Sequence, residues 1–145
     1  MVDATTGKGR RNITGTHILV AAGRLPNTSS AGLDKARVEL GSNGYIKVNE
    51  RFETTARNVW AVGDCAGTPQ FTHAAFDDFR MVRDNLNGAR RTTLNRLIPY
   101  VMFTDPELAR IGLNEIQAKR DGIAYRLATL PMATVLRTRT LSKLS

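Results

Sequence analysis

The sequence predicts an α/β fold, and three observations carry that prediction. Two short apolar runs, "THILVAAG" from Thr16 to Gly23 and "VWAVG" from Val59 to Gly63, each stop on a glycine, as buried strands do. A helical pattern follows the second run: in "FTHAAFDDFRMVRDNLNG", Ala75, Phe79, Val82 and Leu86 fall on one apolar stripe. Strand, glycine turn and helix in that order are the repeating unit of α/β proteins.

The elements follow in order. "GKGRRN", Gly7 to Asn12, reads as a turn. His17 stands at the edge of the first strand, and "GRLPNTSSAG" is a loop in which Pro26 fixes the backbone. "LDKARVELGSNG" fits either a turn of helix or an irregular link. "GYIKVNERFET" alternates apolar and polar residues, as a half-exposed strand would. In the helix over 72–86, Thr72 is the expected N-cap and Asn87-Gly88 the expected stop. "ARRTTLNRL", Ala89 to Leu97, is a basic connector and the candidate domain boundary. Beyond it "IPYVMFTD" and "YRLATLPM" read as strands, with "LNEIQAKRDG" as a short helix between them. "ATVLRTRTLSKLS" alternates like a further strand and stops.

Length and composition exclude several classes. At 145 residues the chain fits one ordinary domain. No apolar run reaches the roughly 18–20 residues that span a bilayer, and "MVDATTGKGRR" lacks the apolar centre of a secretory signal. A single cysteine, Cys65, excludes an intrachain disulfide and a multi-cysteine metal site. A soluble, cytoplasmic protein without a membrane partner and without a metal is therefore expected. The net charge of +8 is uneven: residues 1–79 hold nine Lys/Arg against eight Asp/Glu, and residues 80–145 twelve against five. One reading is a basic module that binds nucleic acid or another polyanion through Arg80, Arg83, Arg90, Arg91 and Arg96. The absence of a dense basic run with interleaved aromatics argues against nucleic acid. The other reading is that an acidic remainder lies outside this chain.

Gly63-Asp64 is where chemistry concentrates. The order of elements places Asp64 at the carboxyl edge of a strand and aims a helix start at the same crevice, where open α/β sheets bind ligands. A carboxylate there accepts hydrogen bonds from sugar or polyol hydroxyls. The helix start offers unpaired N–H groups and a partial positive charge to an anionic group. Together they suit a nucleotide-type cofactor. The residues alone fit equally well a turn in which Asp64 is a cap and nothing binds.

Three segments resemble one family, the FAD-dependent pyridine nucleotide–disulfide oxidoreductases. "LVAAGRLPNT" is similar to its A-x-G-R-x-P-N segment, and "TTARNVWAVGDCAGTPQFTHAAF" to its second FAD motif, T-x-x-x-[hydrophobic]-[aromatic]-A-x-G-D. "IPYVMFTDPELARIGLNE" resembles the opening of its interface domain, and all three occur in the family's order. "GDCAGTPQF" and "DDFRMVRDNLNG" look most like the mercuric-reductase-like branch, which includes the reactive-chlorine-resistance flavoproteins.

The resemblance implies an α/β chain made of the C-terminal part of a Rossmann-like FAD/NAD(P)-binding region followed by a truncated α+β interface domain. Residues 1–24 would end the NAD(P)-binding domain, 25–97 close the FAD-binding domain, and 98–145 open the dimerisation domain. Gly63 and Asp64 would serve FAD, with Asp64 on the ribityl chain. The backbone at Phe71, Thr72 and His73 would lie by the pyrimidine end of the flavin. Gly23 and Arg24, with Pro26 and Asn27, would shape the passage between the nucleotide-binding domains; a plain structural turn is an equal reading. Cys65 is read as a packed thiol.

Other parts of the family's machinery do not occur in this sequence. A C-x4-C pair is impossible with one cysteine, no G-x-G-x-x-G follows a strand, and neither His17 nor His73 precedes a proline. No catalytic residue is assigned. The expectation is a piece of a longer, homodimeric, FAD- and NAD(P)H-dependent oxidoreductase, cut by truncation or a frameshift and inactive alone. A non-functional truncated product is the alternative. Apolar edges around Ile98–Phe103 and Tyr125–Leu130 are expected to be exposed.

Overall fold

A strand without a neighbour has nowhere to send its backbone hydrogen bonds, and that rule shapes much of this chain. The structure, a computed structural model, describes residues 1–140. It falls into two compact units, Met1–Leu94 and Asn95–Ser145.

The first unit opens with an antiparallel hairpin of β1 (Val2–Thr6) and β2 (Gly9–Ile13), registered Val2 to Ile13 and Thr6 to Gly9. Of the turn expected at "GKGRRN", only Gly7 and Lys8 form the link, where the Thr6 hydroxyl donates to the Gly9 carbonyl at 3.1 Å; Gly9–Asn12 lie in β2 instead. The strands themselves escaped the sequence reading because nearly every residue in them is exposed and no apolar alternation marks them. The expected buried strand over Thr16–Gly23 does not form. Those residues carry no regular structure and are exposed, Leu19 to 90%. Their apolarity calls for burial, but among the described residues no strand lies beside them to pair with.

Residues 40–60 form a chain of tight turns joined by single bridges, Leu40 to Ile46, Val48 to Thr54 and Glu53 to Trp60, where extended strands were expected. Asn49 organises one turn: its side-chain oxygen accepts from the Arg51 and Glu53 backbone N–H groups at 2.9 and 3.0 Å. This turn puts Phe52 in the left-handed region, φ 65°, while burying its ring. A bulky residue takes that conformation at a cost of about 1–2 kcal/mol, offset here by the apolar area the ring removes from water.

Helix α1 (Thr72–Leu86) is the longest element, and its limits are those the pattern predicts. Its N-cap is Phe71, however, and Thr72 is the first helical residue. Asn87 closes it, with Gly88 at φ 93° just beyond. The buried face also differs from the expected stripe. Ala74, Asp78 and Met81 are buried, whereas Phe79 and Leu86 are exposed. The helix leaves into the connector through Arg91, which pairs with Asp84 at 2.9 Å and Asp77 at 3.2 Å. Hydrogen bonds from Arg83, then Arg91, hold the Asp84 carboxyl below the usual carboxylate range.

The second unit pairs β3 (Tyr100–Met102) with β4 (Leu108–Arg110) antiparallel, and Arg110 lies over the Tyr100 ring at 4.6 Å. β3 lies within the expected "IPYVMFTD" strand; β4 is too short and too exposed to have left a pattern. Helix α2 (Glu115–Arg120) is capped by Asn114, whose side chain accepts from the Gln117 N–H at 2.8 Å while Gln117 reaches back to the Asn114 N–H. Asn114→Ala should cost the helix about 1 kcal/mol, read as about fivefold faster amide exchange over residues 116–118. Unchanged exchange there would show that the box does not hold the helix.

The expected strand over "YRLATLPM" is absent and its residues are exposed. In place of the last expected strand there is a 3-10 turn, Met132–Thr134, and a short helix α3 (Leu136–Thr140); residues 141–145 lie outside the described residues. The apolar edges foreseen in this half are exposed, with Met102, Phe103, Leu127 and Leu130 open to solvent.

Burial is thin overall. Among the described residues the buried apolar side chains are few: Val38, Phe52, Ala61, Ala74, Met81 and Ala118. Urea unfolding should therefore show a slope below that of a compact domain of equal length. A steep, fully cooperative transition would contradict this.

Candidate functional site

The run Val59–Val62 brings the backbone into the first unit's core at Ala61, whose N–H donates to the Phe52 carbonyl at 3.1 Å. Gly63 then turns the chain with φ 71°. A side chain could not take its place easily: a Cβ there would lie 3.1 Å from the Cβ of Ala75 in the first turn of α1. Gly63 is the point where loop and helix start touch. Gly63→Ala should cost about 1–2 kcal/mol from the backbone conformation alone, seen as a lower thermal midpoint.

Asp64 follows in a 3-10 turn, Gly63–Ala66. The turn is closed by Gly67 N–H to the Asp64 carbonyl at 3.0 Å and by Thr68 N–H to the Gly63 carbonyl at 3.3 Å. Cys65 donates its thiol to the Val62 carbonyl at 3.3 Å and is half-buried, consistent with a packed thiol. Its own carbonyl accepts from Ile46 N–H at 2.8 Å, tying this turn to the 40–60 segment.

Arg24 reaches Asp64, with Nη2 3.3 Å from Oδ2, so two of the predicted site residues meet directly. Both side chains remain partly exposed, and an exposed pair of this kind contributes little to stability. Gly23 stands beside Arg24 with φ 88° and open space around it.

Phe71, Thr72 and His73 form the start of α1, with the Phe71 and His73 rings stacked at 5.2 Å. Phe71 has no polar side chain to cap the helix, and the first turn, Thr72 to Ala75, contains no acid. The first turn of this four-turn helix thus supplies no acid to offset its positive end. Those features fit an electron-rich ligand group at the helix start and a hydroxyl-bearing one at Asp64.

The sequence pattern did not single out Asp78 or Thr68. Asp78 is fully buried, and its Oδ2 accepts from Gly63 N–H at 2.8 Å and from the Thr68 hydroxyl at 2.7 Å. The signal was available: Ala74, Asp78 and Met81 sit at spacings of four and three, a second stripe with an acid in its middle.

The expected crevice is less developed than its elements. Surface cavities of about 330 and 260 Å³ lie along Glu53–Trp60 and Lys47–Thr55, and no predicted site residue lines either. In the basic set offered as a polyanion patch, Arg83 and Arg91 are already paired with Asp84 and Asp77. Among the described residues no cluster of His, Cys, Asp or Glu is placed to hold a metal ion, and no helix is long and apolar enough to cross a membrane.

Known proteins match this arrangement in both halves. Residues 2–78 match the pyridine nucleotide-disulphide oxidoreductase family and residues 98–144 match that family's dimerisation domain. The chain is 40% identical over 127 residues to the probable pyridine nucleotide-disulfide oxidoreductase RclA of Escherichia coli, covering 86% of this chain and 29% of that protein. It is 34% identical to human mitochondrial dihydrolipoyl dehydrogenase, covering 96% of this chain and 27% of the other. Among solved structures, the HOCl-induced flavoprotein disulfide reductase RclA from Escherichia coli superposes with a TM-score of 0.72 at 40% identity, over 83% of this chain and 28% of that one. LpdA from Mycobacterium tuberculosis gives 0.79 at 28% identity, over 97% and 32%. The chain thus spans about three-tenths of the length of the curated relatives it matches.

Proposed function

Because the chain belongs to the pyridine nucleotide-disulphide oxidoreductase family, we propose that it supplies the ribityl-binding corner of an FAD site. The observation that carries this reading is the contact of Gly63 with Ala75, which holds the Asp64 turn against the start of α1. FAD supplies the electron-transfer chemistry when bound; the protein holds and orients it.

Asp64 accepts hydrogen bonds from the ribityl hydroxyls. The first-turn N–H groups at Thr72 and His73 favour negative charge at the pyrimidine end of the ring. Gly63 keeps the loop close enough to the helix for both to act on one ligand. Arg24 neutralises Asp64 until those hydroxyls replace it, and Gly23 gives the backbone before Arg24 its left-handed turn.

Residues 1–24 close an NAD(P)-binding domain, 25–97 an FAD-binding domain, and 98–145 begin the dimerisation domain of a cytoplasmic, homodimeric, NAD(P)H-dependent parent. The dimerisation-domain match over residues 98–144 supports the last of these. Cys65 is the only cysteine in the sequence, so the chain alone is expected to show no dithiol-dependent turnover.

The direct test is titration of the full chain with FAD, followed by flavin fluorescence. Weak, saturable quenching is expected, unaffected by added nucleic acid. A signal that rises linearly without saturation would overturn the proposal.

A further inference from the structure

We infer that Asp78 is the positioning residue of this site, holding the Asp64 loop in place from the second turn of α1. The inference rests on the FAD reading above for its ligand, but its geometry stands apart from it. Asp78 is 0% exposed, and a polar group that far from water is tolerated only where hydrogen bonds replace the lost ones. Two of its bonds converge on one oxygen, Oδ2: Gly63 N–H at 2.8 Å and the Thr68 hydroxyl at 2.7 Å.

These donors are the two ends of the Asp64 loop. Gly63 precedes Asp64 and Thr68 closes the loop, with its N–H bonded to the Gly63 carbonyl at 3.3 Å. One side chain therefore clamps both ends at once. Asp78 also lies on the helix whose start forms the other half of the site. The distance from Asp64 to that helix start is thus set through a single helix rather than through the chain segments on either side. Ala74 and Met81, one turn away on each side, are buried along with it. Asp78 need not touch the ligand to control how well Asp64 meets it.

Because both donors meet one oxygen, the variants separate acceptor from charge. Asp78→Asn keeps an acceptor oxygen, Asp78→Ala removes it, and Thr68→Val removes one donor at constant shape. The full chain is measured in two ways: amide exchange by NMR, and FAD affinity by flavin fluorescence with visible circular dichroism of the bound flavin. In Asp78→Ala and Thr68→Val, exchange across residues 63–67 should quicken at least about tenfold. The amides of residues 79–86 should keep their protection. The FAD dissociation constant should rise by a similar factor, with a weaker induced dichroic signal, and Asp78→Asn should restore both to near wild type.

A merely structural Asp78 would instead loosen helix and loop together, and Asp78→Asn would not rescue the flavin signal. Either result overturns the inference. Should Asp78→Ala fail to fold, Thr68→Val alone decides, and unchanged loop exchange in it counts against the clamp. If the wild-type chain binds no FAD, the proposed function falls, while the exchange measurement still decides whether Asp78 positions Asp64.

Discussion

Asp64→Ala should weaken FAD binding by about tenfold to hundredfold, the loss expected when a charged acceptor is withdrawn from ligand hydroxyls. The carboxylate extends from a turn fixed at Gly63, Gly67 and Thr68, so its removal leaves the surrounding backbone bonds intact. The effect should fall on affinity and spare the fold. Circular dichroism in the far ultraviolet should stay unchanged while the fluorescence titration shifts. Asp64→Asn, which keeps one acceptor oxygen, should retain part of the affinity. Arg24→Ala provides the control in the opposite direction. It frees Asp64 from its 3.3 Å partner, so binding should be unchanged or slightly tighter. If Asp64→Ala binds FAD as well as wild type, the carboxylate has been given the wrong role.

Met81→Ala should be the most damaging core substitution. Met81 is 1% exposed on the buried face of α1, and removing such a side chain costs about 2–5 kcal/mol. Small domains possess only about 5–15 kcal/mol in all, and few apolar side chains are buried here. The variant's urea midpoint should fall well below that of the wild type. Phe79→Ala is the informative comparison, because Phe79 is 47% exposed and lies on the stripe the sequence pattern favours. It should cost less than about 1 kcal/mol. If the two costs were reversed, α1 would pack by the other face.

That contrast shows where sequence legibility ended. The extent of α1 was readable because periodicity is local, and it runs Thr72 to Leu86 as expected, although the N-cap is Phe71 and not Thr72. Its packing face was not, because Ala75, Phe79, Val82 and Leu86 report which side is apolar, not which neighbours exist to cover it. The same logic explains Thr16–Gly23. Its composition suits a buried strand, but a strand is a property of pairs, and the described residues contain no partner for it. The residues proposed to hold the cofactor are close in sequence: Gly63, Asp64 and the helix start lie within eleven residues, and Gly63 approaches Ala75 closely. Asp78 was passed over because its stripe, Ala74, Asp78 and Met81, is less apolar than the one through Phe79 and Leu86.

Trp60 is the sole tryptophan, and it lies three residues before Gly63, bridged to Glu53. Indole emission overlaps the absorption band of oxidised isoalloxazine. A flavin seated at Asp64 would therefore dim this residue by resonance energy transfer, giving the chain an intrinsic optical ruler that requires no label.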